Sequence, residues 1–239
     1  IHDVTAVDDK FDVIFIAAKT PALAQLKNHI IKMSHDSTEL VYALNGMGYD
    51  DMFSGGIPSV VYVSGQQHGD YIEHFLNQKI ILPEAPFHYL DQLIDYIESD
   101  SKVNFELIKT KDFKKIRYEK LLINVGINSV TALTKNTAKI FEDPAMVELT
   151  RTLLAESIAI VNRTENDIHI DRDFIDYAMD MYYGYPRHMG TSMYYDVMAN
   201  KKTEFKYIQE YLYHLKEGLD ITTSVLDVVV TLMRGYEMT

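Results

Sequence analysis

The chain has 239 residues, a formal net charge of −12 at pH 7 and a hydrophobic fraction of 47%. That fraction suffices for a buried core and argues against disorder, whereas the acidic balance disfavours nucleic acid, because phosphates bind to basic surfaces. The absence of cysteine excludes disulfides, thiolate metal sites and cysteine nucleophiles, and favours a cytoplasmic protein. The sequence contains no run of about 18 apolar residues, so it predicts no membrane-spanning helix.

The first part of the chain predicts an α/β domain. The apolar run at 11–19 is bounded by charges, which is typical of a strand buried on both faces. The segment 20–33 predicts a helix with Thr20 as N-cap and Pro21 at its first position. The other elements expected here are strands at 38–48, 59–65 and 103–108, a hairpin around Asn77-Gln78 within 71–82, and an amphipathic helix at 86–99.

From about residue 111 onward, helical periodicity replaces the strand pattern. Asp143-Pro144 is expected to begin one helix and Asp171 or Asp173 another. Thr203 is expected to cap a further helix, which Gly218 ends. We therefore expect an α/β domain over 1–110 and an all-helical domain over 111–239.

The α/β part lacks the pattern with which a Rossmann domain begins. That pattern is a strand, a Gly-x-Gly-x-x-Gly turn and a helix, with a ribose-reading residue about 20 residues later. The glycine clusters at 45–48 and 54–56 do not open a helix in this way. The chain also starts without an initiator Met or a signal-peptide pattern. Two interpretations follow: no dinucleotide is bound, or the first strands lie upstream of these residues.

Lys120, Asn124 and Asn128 form a polar stripe in the largely apolar segment 117–133. At about 100° per residue, positions four apart drift by only about 40° on a helix. A helix that is apolar nearly all round is buried, and a buried Lys or Asn is costly unless it has a partner. The stripe is therefore either a satisfied polar layer between helices or a slot facing a ligand, in which an ammonium protonates a developing alkoxide.

A second unusual segment covers residues 190–208. Ser192 is locally explained as a helix cap, and Glu204 as a first-turn acid that interacts with the helix dipole. The alternative for Glu204 is that it partners the buried lysine, since the sequence offers few other buried candidates. The nine histidines show neither His-x-x-x-His spacing nor a carboxylate cluster, so we expect no metal site.

At these residues the chain resembles the ketopantoate reductase (2-dehydropantoate 2-reductase) family. "KLLINVGINSVTAL" and "SMYYDVMANKKTEFKYI" are similar to the two signature segments of its helical domain, and "FDVIFIAAKT" and "LNGMG" to a strand and a turn of its cofactor domain. The resemblance covers nearly all of 11–235. It implies a partial Rossmann-like α/β domain, with its first strands and glycine segment missing, and an all-α C-terminal domain of the 6-phosphogluconate-dehydrogenase-like type.

The resemblance also implies an activity, the NADPH-dependent reduction of 2-dehydropantoate to (R)-pantoate, a step toward pantothenate and coenzyme A. It implies Lys120 as general acid and Glu204 as the partner of the substrate hydroxyl or of Lys120. The other residues it implies are Asn124, Asn128 and Ser192 for the substrate, and Lys19 and Asn45 for the cofactor. A cytoplasmic homodimer with a small 2-oxo acid substrate is the assembly expected.

Several positions depart from the family pattern. Tyr118 stands where Trp is common, Thr222 where Pro is usual, and Ala138 where a further substrate-facing Asn is frequent. The last departure bears on substrate specificity. Two alternatives therefore stay open: a reductase of another branched 2-oxo acid, and a non-catalytic helical dimerisation or binding module with a degenerate nucleotide fold.

Overall fold

The computed structural model describes residues 7–238, which form an α/β unit and a helical unit. The α/β unit comprises the described residues up to Asn45 together with Tyr49–Arg117. The helical unit comprises Gly46–Gly48 together with the chain from Tyr118 onward. Among the residues described, none of the helices combines the length and apolarity that crossing a membrane requires.

Six strands make two three-stranded sheets in the α/β unit. In chain order they are β1 (Val13–Ile16), β2 (Glu39–Tyr42), β3 (Ile57–Pro58), β4 (Val60–His68), β5 (Tyr71–Pro83) and β6 (Glu106–Thr110). The first sheet is parallel, in the order β1-β2-β3. In the second sheet β5 is central, antiparallel to β4 and parallel to β6. Leu40, Val41 and Tyr42 of β2 are all buried, which explains why this strand is visible as an apolar run.

The described residues also form eight α-helices. They are α1 (Leu23–Met33), α2 (Tyr89–Ser99), α3 (Phe113–Thr134), α4 (Pro144–Thr164), α5 (Phe174–Gly184), α6 (Ser192–Met198), α7 (Gln209–Leu215) and α8 (Ser224–Glu237). The large core of the helical unit is built mainly from α3, α4, α5 and α8. A smaller core joins β2, β3, β5, β6 and α2 in the α/β unit. The expected fold class, α/β followed by all-helical, is confirmed.

The predicted hairpin position is wrong. Residues 71–83 form the single strand β5, and the turn lies between β4 and β5, where His68 pairs with Tyr71. Gly69 has φ +56° in that turn. Tight hairpin turns require positive φ, which glycine adopts without steric cost, so the turn forms at Gly69-Asp70 rather than at Asn77-Gln78.

The structure confirms two of the predicted helix starts, at Asp143 and Asp173, and shows that the one at Thr20 is wrong. Asp143 caps α4, since its side chain accepts a hydrogen bond from Ala145 N, and Asp173 is the N-cap residue of α5. Thr20 is not an N-cap: it begins a short 3₁₀ turn, Thr20–Ala22, and α1 starts only after that turn.

The single helix expected after Thr203 is two pieces. They are a 3₁₀ turn, Phe205–Tyr207, and α7, and the break falls at Ile208, whose φ and ψ are −117° and −82°. Gly218 follows α7 with φ +83°, as expected of a residue that ends a helix.

Candidate active site

The polar stripe lies on α3, in a part of the helical unit that is buried along most of its length. Every residue from 121 to 132 of α3 is buried, and Asn124 and Asn128 expose only 9% and 4% of their surface. The Nδ2 atom of Asn124 is buried and has no hydrogen-bond partner. Leaving such a donor unpaired costs on the order of 1–3 kcal/mol. The stripe is therefore not a fully satisfied polar layer, and Asn124 retains an unused hydrogen-bond donor.

Lys120 begins the stripe and is half-buried. Desolvation by burial lowers the pKa of its ammonium from 10.5 to about 8, because a low-dielectric surrounding disfavours the charged form. A lysine with this pKa is mostly protonated at pH 7 and yet releases its proton more readily than one in water. These are the properties required of a general acid that acts near neutral pH.

The segment that carries Ser192 packs against α3. Thr131 Oγ1 and Thr191 Oγ1 are 2.8 Å apart, which joins α3 to the start of α6. The N-cap of α6 is Thr191, whose side chain accepts from Tyr194 N. The interpretation of Ser192 as the cap is wrong by one residue, so capping does not account for its hydroxyl. Ser192 is the exposed first residue of α6.

Gln209 is a buried polar residue that sequence reasoning did not single out. Its Nε2 donates to Ser129 Oγ at 3.0 Å and lies 3.7 Å from Met193 Sδ. Through these contacts α3, α6 and α7 meet around one amide. Its Oε1 is buried without a hydrogen-bond partner. The only signal in the sequence was its place next to the 190–208 segment.

Glu204 is buried, with 6% of its surface exposed. It is the N-cap residue of the 3₁₀ turn Phe205–Tyr207, but its side chain makes no capping hydrogen bond. The dipole of a three-residue turn is small, because the macrodipole sums over aligned peptides, and α7 begins only at Gln209. The interpretation of Glu204 as a first-turn acid that interacts with a helix dipole therefore lacks support.

The glycine turn Gly46–Gly48 packs on the turn that carries Glu204. Met47 N donates to Tyr207 O at 2.7 Å, and Tyr207 N donates to Glu204 O at 2.9 Å. Gly46 has φ +81°, and a Cβ placed there would overlap the backbone oxygen of Tyr207. Both constraints require glycine at this position.

Lys19 and Asn45 follow the carboxyl ends of β1 and β2 in the parallel sheet. The last paired residues of β1 and β2 are Ile16 and Tyr42, and each candidate residue follows three positions later. Ligands of open α/β sheets bind at the carboxyl ends of the strands, so both residues fit a nucleotide site at this edge. Lys19 is exposed and Asn45 is half-buried.

Two of the departures from the family pattern, Tyr118 and Ala138, occupy buried positions, whereas Thr222 is exposed. Tyr118 is buried and its hydroxyl hydrogen-bonds Glu165 Oε1, so the ring and its polar end are both accommodated. Ala138 is buried, and its N–H donates to Met189 O at 2.9 Å. Within the described part of the chain, no group of three or more His, Cys, Asp or Glu side chains is placed to hold a metal ion.

The chain thus combines an α/β unit with a helical unit whose helix α3 carries the stripe of Lys120, Asn124 and Asn128. The family model described as "Ketopantoate reductase PanE/ApbA C terminal" matches residues 112–237. The chain therefore belongs to the ketopantoate reductase family. No curated protein matches it in sequence.

Solved structures agree with this assignment. A dimeric ketopantoate reductase from Staphylococcus aureus is 30% identical, with a TM-score of 0.90 over 98% of this chain and 80% of that one. The 2-dehydropantoate 2-reductase of Geobacter metallireducens is 20% identical, with a TM-score of 0.84 over 95% and 78%. D-mandelate dehydrogenase, solved with NADH and anilino(oxo)acetate, shares the fold at 17% identity and a TM-score of 0.83 over 98% and 79%.

Proposed function

We propose that this protein reduces 2-dehydropantoate to (R)-pantoate with NADPH, on the route to pantothenate and coenzyme A. Residues 1–110 would belong to the NADP-binding domain and residues 111–239 would form the substrate-binding and catalytic domain. One observation carries the proposal: Lys120, whose pKa is lowered to about 8, shares a buried helix stripe with the unpaired amide of Asn124.

Each residue of the stripe has a task in this reaction. The amides of Asn124 and Asn128 donate hydrogen bonds to the oxygens of the 2-oxo acid, with Ser192 as a further donor. Lys120 transfers a proton to the C2 oxygen as that oxygen gains negative charge. Glu204 accepts from the substrate hydroxyl or pairs with Lys120.

The cofactor would supply the hydride. Lys19 and Asn45 would hold its nicotinamide end, which is consistent with their place at the carboxyl edge of the parallel sheet. We place the protein in the cytoplasm as a homodimer, in line with its lack of cysteine and with the dimeric reductase of S. aureus.

The test is turnover by the full-length protein. NADPH should be oxidised when 2-dehydropantoate is added, and NADH should be used less efficiently. If neither cofactor is oxidised with any 2-oxo acid, the protein is a binding or dimerisation module and the proposal is wrong.

A second candidate is the reduction of another branched 2-oxo acid. Two observations favour it: Ala138 is a buried alanine where the family often has a substrate-facing Asn, and the fold is shared with D-mandelate dehydrogenase. The matched probe is 3,3-dimethyl-2-oxobutanoate, which is 2-dehydropantoate without its hydroxyl. A site that hydrogen-bonds the hydroxyl should reject this analogue by several orders of magnitude in kcat/KM. Equal kcat/KM for both acids would favour the second candidate.

A further inference from the structure

The C-terminal end of α8 is bonded to the residue that precedes Glu204. Glu237 Oε1 accepts two hydrogen bonds from Thr203, one from its backbone N at 3.0 Å and one from its Oγ1 at 2.6 Å. The neighbouring Tyr236 donates its hydroxyl to Lys201 O at 3.0 Å. The last turn of α8 therefore holds the 201–203 segment at two points.

These bonds extend across Glu204. Thr203 Oγ1, which donates to Glu237, also accepts from Phe205 N at 3.2 Å. Beyond it, Tyr207 N donates to Glu204 O. The backbone is thus fixed on both sides of Glu204, and on the N-terminal side the fixing group is the Glu237 carboxylate.

Helix stability alone does not explain a glutamate at this position. Glu237 is the last residue of α8, where the negative end of the macrodipole disfavours a carboxylate by roughly 0.3–1 kcal/mol and favours Lys or Arg. The two donors of Thr203 offset that repulsion. The Glu237 carboxylate is therefore better explained by its two hydrogen bonds from Thr203 than by any contribution to the stability of α8.

We propose that Glu237 is a positioning residue, which sets the backbone at Thr203 and thereby the direction of the Glu204 carboxylate. This inference rests on the proposed function only in giving Glu204 a catalytic task. Without Glu237 the 201–205 segment loses one acceptor and two bonds, so the carboxylate samples positions away from the substrate. Small misplacements of a catalytic group lower turnover far more than they lower binding.

The experiment compares Glu237→Ala with Glu156→Ala in the full-length protein. Glu156 is a matched control because its carboxylate also accepts two hydrogen bonds, from Val225 N at 3.2 Å and Leu226 N at 2.8 Å, at the opposite end of α8. Amide hydrogen exchange reports the positioning without substrate or cofactor. Exchange at Phe205 and Tyr207 should accelerate in Glu237→Ala and stay unchanged in Glu156→Ala.

Kinetics give the second measurement. Glu237→Ala should lower kcat by about tenfold and leave the KM for the cofactor unchanged, whereas Glu156→Ala should lower only the melting temperature. Glu237→Gln keeps an acceptor oxygen and should restore most of the activity. In a Glu204→Gln background, Glu237→Ala should have little additional effect, because the two residues act on the same step.

Two results would overturn the inference: unchanged exchange at Phe205 and Tyr207 in Glu237→Ala, or losses from Glu237→Ala and Glu204→Gln that multiply independently. Failure of the proposed function is distinguishable from both. It would show as no turnover by the wild type or an unaffected kcat in Glu204→Gln, and the exchange measurement would still decide whether Glu237 positions this segment.

Discussion

Burial acts on Lys120 in two opposite ways, one on stability and one on catalysis. Desolvation lowers the pKa of the ammonium to about 8, which means that the folded state holds this proton less tightly than the unfolded chain does. Below pH 8 both states are protonated and the full desolvation penalty opposes folding. The same penalty makes the proton easier to transfer, so the role proposed for Lys120 and its cost to stability have one physical cause.

Lys120→Met should separate these effects. The variant should lose roughly 10²–10⁴-fold in kcat, the usual range for a general acid, while its free energy of unfolding at pH 7 rises, because a thioether fills the site without a buried charge. Lys109→Met is the control: Lys109 is another half-buried lysine, bonded to Asp91 at 2.7 Å, and its loss should lower stability without changing kcat. Wild-type turnover in Lys120→Met would contradict the role assigned to the ammonium.

The lowered pKa of Lys120 predicts how both activity and stability change with pH. As pH rises through about 8, Lys120 loses its proton in the folded state and kcat/KM should fall. Between about 8 and 10.5 the unfolded chain binds more protons at this residue than the folded one, so the free energy of unfolding should gain a rising contribution. Chemical denaturation across this range measures it, with Lys120→Met as the reference that lacks it. A wild type and variant with parallel pH profiles would show that another group titrates.

At the scale of elements, α3 depends on a glycine between its two asparagines. Tyr182 donates its hydroxyl to Ile123 O at 2.8 Å, and its ring stacks on Phe141 at 5.2 Å. A Cβ at Gly126 would overlap that hydroxyl and lie 3.2 Å from Leu154 Cδ2. The close approach of α5 to α3 therefore requires glycine, although glycine costs helix stability.

Gly126→Ala should lower the free energy of unfolding by about 1–3 kcal/mol, the usual cost of overpacking a core. Combining it with Tyr182→Phe should cost less than the sum of the two single changes, because removing the hydroxyl makes room for the methyl group. A double-mutant cycle in urea measures this coupling. Strict additivity would show that the clash is relieved elsewhere.

The same helix shows why part of the site could be predicted from sequence. Lys120, Asn124 and Asn128 repeat at helical spacing in an apolar segment, and periodicity is the strongest local signal of structure. The bond between Thr191 and Thr131 and the break at Ile208, which follows the Tyr207 carbonyl that accepts from Met47 N, could not be predicted in this way, because they involve residues remote in sequence. Gln209 and Glu237 could not be predicted for the same reason, because Gln209 bonds to Ser129 and Glu237 to Thr203, both remote in sequence.

For the whole molecule, the two units differ in the size of their cores. The helical unit has a large continuous core, whereas clusters of the α/β unit, such as those around Val41 of β2 and Val60 of β4, are smaller. We expect amides of β1, β2 and β6 to exchange at lower denaturant concentration than those of α3 and α4, because stability grows with buried apolar surface. Adding NADPH should slow exchange in the α/β unit by mass action. Exchange of all these amides in one cooperative step would contradict the expectation.

The two hydrogen bonds that Glu156 accepts tie the start of α8 to a helix that is remote in sequence. The acceptor lies on α4, and its donors Val225 and Leu226 follow about seventy residues later. The first turn of α8 thus takes its cap from a remote helix and gains that stabilisation only after α4 has formed. On the ribosome α4 emerges first, and folding proceeds from the N-terminal side. Synthesis therefore delivers the acceptor on α4 before its two donors on α8.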